Sequence, residues 1–192
     1  MARSTVLVFA VVASLWLCCS AAQAAPTSAA KRSSGAWISA AADRLSGRGL
    51  DVSCAANAAG WMLDLAEAGL PAAEADEYYG FSMIAEGDMH LSPYVCQGLQ
   101  LGLSAAARAS HSLQVAWAVD VLLHESAHLG RFTTDESVAE ACARVGLPNE
   151  LHRLYGIPLR SAELAQLTSS ASVFRQTMDA AYQGGSCPPL PA

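Results

Sequence analysis

One helix limits what this chain can fold into. Residues Leu113 to Leu123 form a nearly unbroken apolar run that leads directly into His124-Glu125-Ser126-Ala127-His128. A helix that is apolar on every side has to be buried, so the remaining segments must pack around it. The stretch HESAH is an instance of HExxH. Two histidines four apart on a helix lie one turn apart on one face, where both imidazoles can grip a single cation. Glu125 flanks the same place and can take a proton from a water that such a cation acidifies. Gly130 stands where the helix is expected to stop. A second helix is expected from Thr134 or Asp135 to Arg144, ended by Gly146 and Pro148, and it carries Glu136 and Glu140.

Two histidines rarely hold zinc alone; a catalytic site adds a third protein ligand and keeps one position open. The short connection after His128 predicts an antiparallel helical hairpin. Counting outward from Phe132 puts His128 level with Glu136 and His124 level with Glu140. Either glutamate can therefore reach a metal, while the other holds a histidine's distal N–H. Asp120, one turn before His124, could serve the same supporting role. The plainer readings are two packed helix histidines, a capping box formed by Thr133-x-x-Glu136, and a solvated face for Glu140. His90, His111 and His152 read as surface or packing residues.

The rest of the chain reads as support. A composition 53% hydrophobic and 15% charged provides a core and excludes a disordered chain. Alanine is abundant and aromatics are few, so the fold class is α+β but mainly α. With a net charge of −6 and no basic run, nucleic acid is not an expected partner.

Residues 1–24 have a signal peptide's layout: Arg3, the apolar run Val6 to Leu17, then Ala22-Gln23-Ala24 before the expected cleavage. The run is too short for a membrane span. Cys18 and Cys19 suggest lipid attachment, but Leu17 sits where that signal needs a small residue. Export is expected, without a stable membrane span. Residues 25–45 read as a flexible leader, within which Trp37 to Arg44 could form a short helix, and 46–192 as one domain.

In that domain Ala55 to Ala68 reads as a helix. Tyr78 to Leu91 reads as a β-hairpin and the one good strand signal, with a β-like tail at Leu50 to Val52. Ser92-Pro93 reads as a helix start, Ser104 to Leu129 as the central helix, with Ser110 as the alternative entry, and Ser161 to Tyr182 as a final amphipathic helix. Four cysteines remain, Cys54, Cys96, Cys142 and Cys187. In an exported chain they imply two disulfides, with three pairings open. No two of them have CxxC spacing, which argues against a cysteine zinc site.

HESAHL, followed by Asp135-Glu136-Ser137-Val138-Ala139-Glu140-Ala141-Cys142-Ala143, resembles zincin-type metallopeptidases of the HExxH-plus-glutamate sort. It is more similar still to small secreted, mostly uncharacterised actinobacterial proteins in which HExxHL is closely followed by DExxAxCxA. The hairpin leading to Leu91-Ser92-Pro93 and Cys96, and the Gly-Gly near the last cysteine, add to the likeness. The resemblance implies Zn2+ as cofactor, His124 and His128 as ligands, Glu125 as general base and Glu136 as third ligand, with Glu140 the alternative. In familiar glutamate zincins the third ligand lies further downstream. Layout and resemblance together suggest the pairs Cys96–Cys142 and Cys54–Cys187. The implied function is hydrolysis of a peptide or protein substrate, aligned on Tyr78 to Ala85 or on Met89 to Leu91. Tyr155, His111 and His152 are candidates for an added oxyanion donor. The alternatives are a secreted zinc-binding protein of the same fold without turnover, and a disulfide-stapled helical binding module.

Overall fold

Helix α5 (Ser112–Arg131) is buried from Val115 to Gly130, as its apolar run requires. The computed structural model describes residues 28–71, 75, 78–176, 178 and 180–189; the signal peptide reading lies outside them. Around α5 pack α1 (Ser28–Ser46), α3 (Pro93–Leu101), α4 (Ala105–Ser110), α6 (Glu136–Tyr155) and α7 (Ala162–Arg175). Helix α2 (Ala58–Glu67) belongs to a smaller cluster built on Trp61 and Leu65. The fold is mainly helical, with one small sheet and two disulfides. Among the described residues no helix is long and apolar enough to cross a membrane.

The sheet has the order β1 (Asp51–Cys54), β3 (Asp88–Leu91), β2 (Gly80–Met83). β2 and β3 form the expected antiparallel hairpin, turning at Gly87, whose φ of 80° suits a glycine. β1 joins β3 in parallel, with Ser53 opposite His90. Strand alternation sends Met89 and Leu91 into the core and His90 to the other face, where it stacks on Phe81 and bonds Ser53.

Several boundaries differ from the sequence reading. The stretch read as a leader, 25–45, lies largely within α1, and its Ile38, Ala41 and Ala42 are buried in the main core. The stretch from Ser104 is split in two, and the central helix proper starts at Ser112, close to the alternative entry at Ser110. The Ser104 side chain caps α4, and His111, at φ −124° and ψ 33°, separates α4 from α5. Helix α5 continues past Gly130 and stops at Phe132, a left-handed residue whose N–H bonds the His128 carbonyl. Helix α6 continues through Gly146 and Pro148. Gly146 is a contact point, not a stop: a β-carbon there would lie 2.9 Å from Leu123 Cδ2. An interior proline costs about 3 kcal/mol, and burial of Leu147 and Leu151 in the core offsets it. The last helix ends at Arg175, and a 3₁₀ turn follows at Ala180–Tyr182.

The suggested disulfide pairs are also corrected. Cys54 bonds Cys96, and Cys142 bonds Cys187. The parallel register ends with Cys54 opposite Leu91, which sets it beside the first turn of α3. Cys142 instead faces a pocket of Ala127 and Ala139, where the C-terminal tail brings Cys187.

Close packing between α3 and α5 yields a stability test. A β-carbon on Gly98 would sit 2.7 Å from both Ala118 Cβ and the Gln114 carbonyl. Alanine's helix propensity gains about 1 kcal/mol over glycine, while overpacking of this kind costs roughly 1–3 kcal/mol. Gly98→Ala is therefore expected to lower the thermal midpoint, as followed by circular dichroism.

Candidate metal centre

The connection Phe132 to Asp135 folds α6 back on α5 and brings the acids of one to the histidines of the other. Asp135 is the N-cap of α6, accepting from the Ser137 and Val138 amides. This displaces the capping-box reading: Thr133 bonds the Asp135 amide, and Glu136 faces the histidines. His124 Nε2 lies 2.9 Å from Glu136 Oε2 and 3.0 Å from His128 Nε2, and His128 Nε2 lies 3.4 Å from the same carboxylate oxygen. One donor atom from each residue falls within 4.8 Å of the other two, a set that could hold a metal ion.

The opposite ring nitrogens are used. His128 Nδ1–H donates to the Thr133 carbonyl at 2.8 Å, which leaves Nε2 as the atom that could coordinate a metal. His124 Nδ1 faces Glu140 Oε2 at 3.5 Å. Glu136 thus stands among the converging donors and Glu140 behind His124. Both imidazole side chains are buried, at 10% and 9% exposure, whereas Glu136 is 39% exposed, so the cluster opens to solvent on its side. The donor set suits a zinc-sized cation: two nitrogens and one carboxylate oxygen, with an open side.

Glu125 is buried next to this cluster. Its carboxylate accepts from Ser82 Oγ at 2.8 Å, and the same hydroxyl reaches the Glu125 carbonyl at 3.1 Å. That ties it to β2, one of the two edge strands of the sheet. β3 lies between its two neighbours, so Met89 to Leu91 has no free main-chain edge to align a peptide, whereas β2 is an edge strand.

Behind His124, Arg175 from the end of α7 bonds both Glu140 and Asp120, two acids that are 4% and 1% exposed. Burial and the Glu140 charge push Asp120 up to about 7 against the pull of Arg175. The Tyr182 ring packs on His124, with centroids 5.7 Å apart. The candidate oxyanion donors lie elsewhere. The Tyr155 hydroxyl donates to the Leu99 carbonyl, His152 bonds the Ile157 carbonyl, and His111 sits at the α4–α5 junction. Ser82, Arg175 and Tyr182 were not singled out in the sequence. For Arg175 the one available signal is that buried acids on α5 and α6 need a cation.

Without a metal, protons occupy the cluster. Burial alone would lower the His124 imidazolium, but hydrogen bonds to Glu136 and Glu140 and the Glu125 charge outweigh it and hold His124 up to about 10. Burial likewise disfavours the Glu136 carboxylate, but both imidazoles bring it down to about 2. His128 is raised too, chiefly by Glu136 against its own burial. A raised histidine stabilises fully below its ordinary 6.5, and that contribution is lost as pH climbs through about 10. A depressed glutamate stabilises above its ordinary 4.5, and that contribution is lost as pH falls through about 2. Both contributions are therefore fully present between those ordinary values. Metal binding displaces the protons, so stabilisation by added zinc should grow as pH rises. Thermal unfolding from pH 4 to 9, with zinc and with chelator, checks for these opposite slopes.

Comparison with protein-family models, with curated proteins and with solved structures finds no match.

Proposed function

We propose that this chain is an exported zinc-dependent peptidase of zincin type, with His124, His128 and Glu136 as ligands and Glu125 as general base. The carrying observation is the convergence of His124 Nε2, His128 Nε2 and Glu136 Oε2, with the nitrogen of His128 that faces away already bonded to a carbonyl. His124, His128 and Glu136 would hold the zinc, which would supply Lewis acidity and a water of lowered pKa. Glu125, positioned by Ser82, accepts the proton of the attacking water and returns it to the leaving amine. The outer edge of β2, adjoining Glu125, lines up an extended peptide. Glu140 orients His124 from behind, and Arg175 holds Glu140.

Native mass spectrometry of the mature, oxidised protein tests the metal. About one zinc per chain is expected, and His124→Ala should lose it because only two donors remain. A peptide library tests the activity: hydrolysis should stop with chelator and return with zinc. A wild-type protein that takes up no zinc with both disulfides intact sinks the reading.

A further inference from the structure

A cavity of about 430 Å³ opens beside the cluster, between α6, the end of α7 and the C-terminal turn. It shares walls with the centre. Glu140, which touches His124, forms one, and Tyr182, which packs on the same imidazole, forms another. On the inner wall one guanidinium, Arg175, is shared by two carboxylates, Glu140 and Asp120, so it has no positive charge to spare for a ligand. Arg144 is different. It lies one turn beyond Glu140 on α6, is exposed to the cavity mouth, and has no ion pair or hydrogen bond among the described residues. Gln176 and Gln183 add carboxamides to the lining.

We propose that this cavity is a recognition pocket for a peptide side chain bearing a carboxylate, with Arg144 as the specificity-determining residue. A guanidinium presents a planar pair of donors that matches a carboxylate. One free cation compensates one negative charge; a phosphorylated side chain, with nearly two, would bring its excess towards Glu140 and Asp120. A protein of net charge −6 does not attract acidic peptides in general, so such a preference has to arise locally. The volume is that of a small pocket, enough for one or two residues and not for a folded partner. The inference builds on the peptidase reading of the adjoining centre.

The test separates binding from turnover. Zinc-loaded, oxidised Glu125→Gln protein is titrated with blocked tripeptides carrying Glu, Gln, phosphoserine or Lys at the centre. The Glu peptide should bind about tenfold tighter than the Gln peptide, the size of one charged hydrogen bond. Adding Arg144→Gln should erase that gap, and adding Arg144→Glu should favour Lys. In the otherwise wild-type protein, Arg144→Gln should remove the preference for acidic over neutral substrates. Equal binding of the Glu and Gln peptides, a preference that survives Arg144→Gln, or tighter binding of phosphoserine overturns the pocket assignment even if peptides are hydrolysed. An intact binding preference with no hydrolysis of any peptide overturns the peptidase reading alone and leaves a carboxylate-binding pocket.

Discussion

Glu125→Gln is expected to lower peptide hydrolysis by about 10²–10⁴-fold, the usual contribution of a positioned general base, while zinc still binds at one ion per chain. Glutamine keeps the shape of the side chain, and its carbonyl oxygen can still accept the Ser82 hydroxyl that holds Glu125 at 2.8 Å. What it loses is the ability to take up a proton. Glu125 is also absent from the three converging donors, so metal content should not change. Single-turnover hydrolysis alongside native mass spectrometry reads both quantities on one sample. Full hydrolysis by a zinc-loaded Glu125→Gln protein would show that the base is another group.

The second large effect is on folding. Arg175→Met should destabilise the protein by about 3–5 kcal/mol, the cost of stripping the partner from a buried charge. Asp120 and Glu140 are almost fully buried and both bond Arg175. Methionine fills much of the volume but leaves two carboxylates facing each other. Adding Asp120→Asn to Arg175→Met should recover part of the loss, because one of the facing charges is then gone. Urea unfolding of the single and double variants measures this. A loss below about 1 kcal/mol, within the range of an exposed ion pair, would mean that water reaches these acids. Zinc affinity of folded Arg175→Met should also fall, by about 10–100-fold, since Glu140 no longer holds His124 firmly.

Local signals made the hairpin and the helix start at Ser92-Pro93 legible. Each depends on residues close in sequence: alternation and Gly87 for one, a side-chain cap and an N1 proline for the other. The meeting of the two histidines with the acids of α6 was legible for a similar reason, since a short connection between two helices fixes which faces meet, but that spacing left Glu136 and Glu140 both open. Helix ends were less legible. Gly130, Gly146 and Pro148 are breakers by local preference, yet burial against α5 or within it carried the helices through them. The parallel strand β1 is short, and its pairing is with residues nearly forty positions away, so its pattern alone was too weak. Arg175 and the disulfide partners belong to the same class, being contacts between distant segments that depend on how the helices stack. Layout and resemblance suggested Cys96–Cys142; register at the sheet end gave Cys54–Cys96 instead.

The Cys142–Cys187 bridge joins the hairpin of the centre to the tail that bears Tyr182. Beyond Tyr182 the tail seats Gly185 against the Ser137 backbone, and Arg131 bonds the Pro188 carbonyl. In the order of synthesis the three converging donors come first, and this covering segment comes tens of residues later. A nascent chain can thus present its donors before anything lies over His124, and ion capture can precede oxidation. Once the thiols join, the tail would be fastened over any ion that the three donors had captured. Metal exchange should then be slower in the oxidised protein than in the reduced one, making retention of the ion a record of where the chain matured.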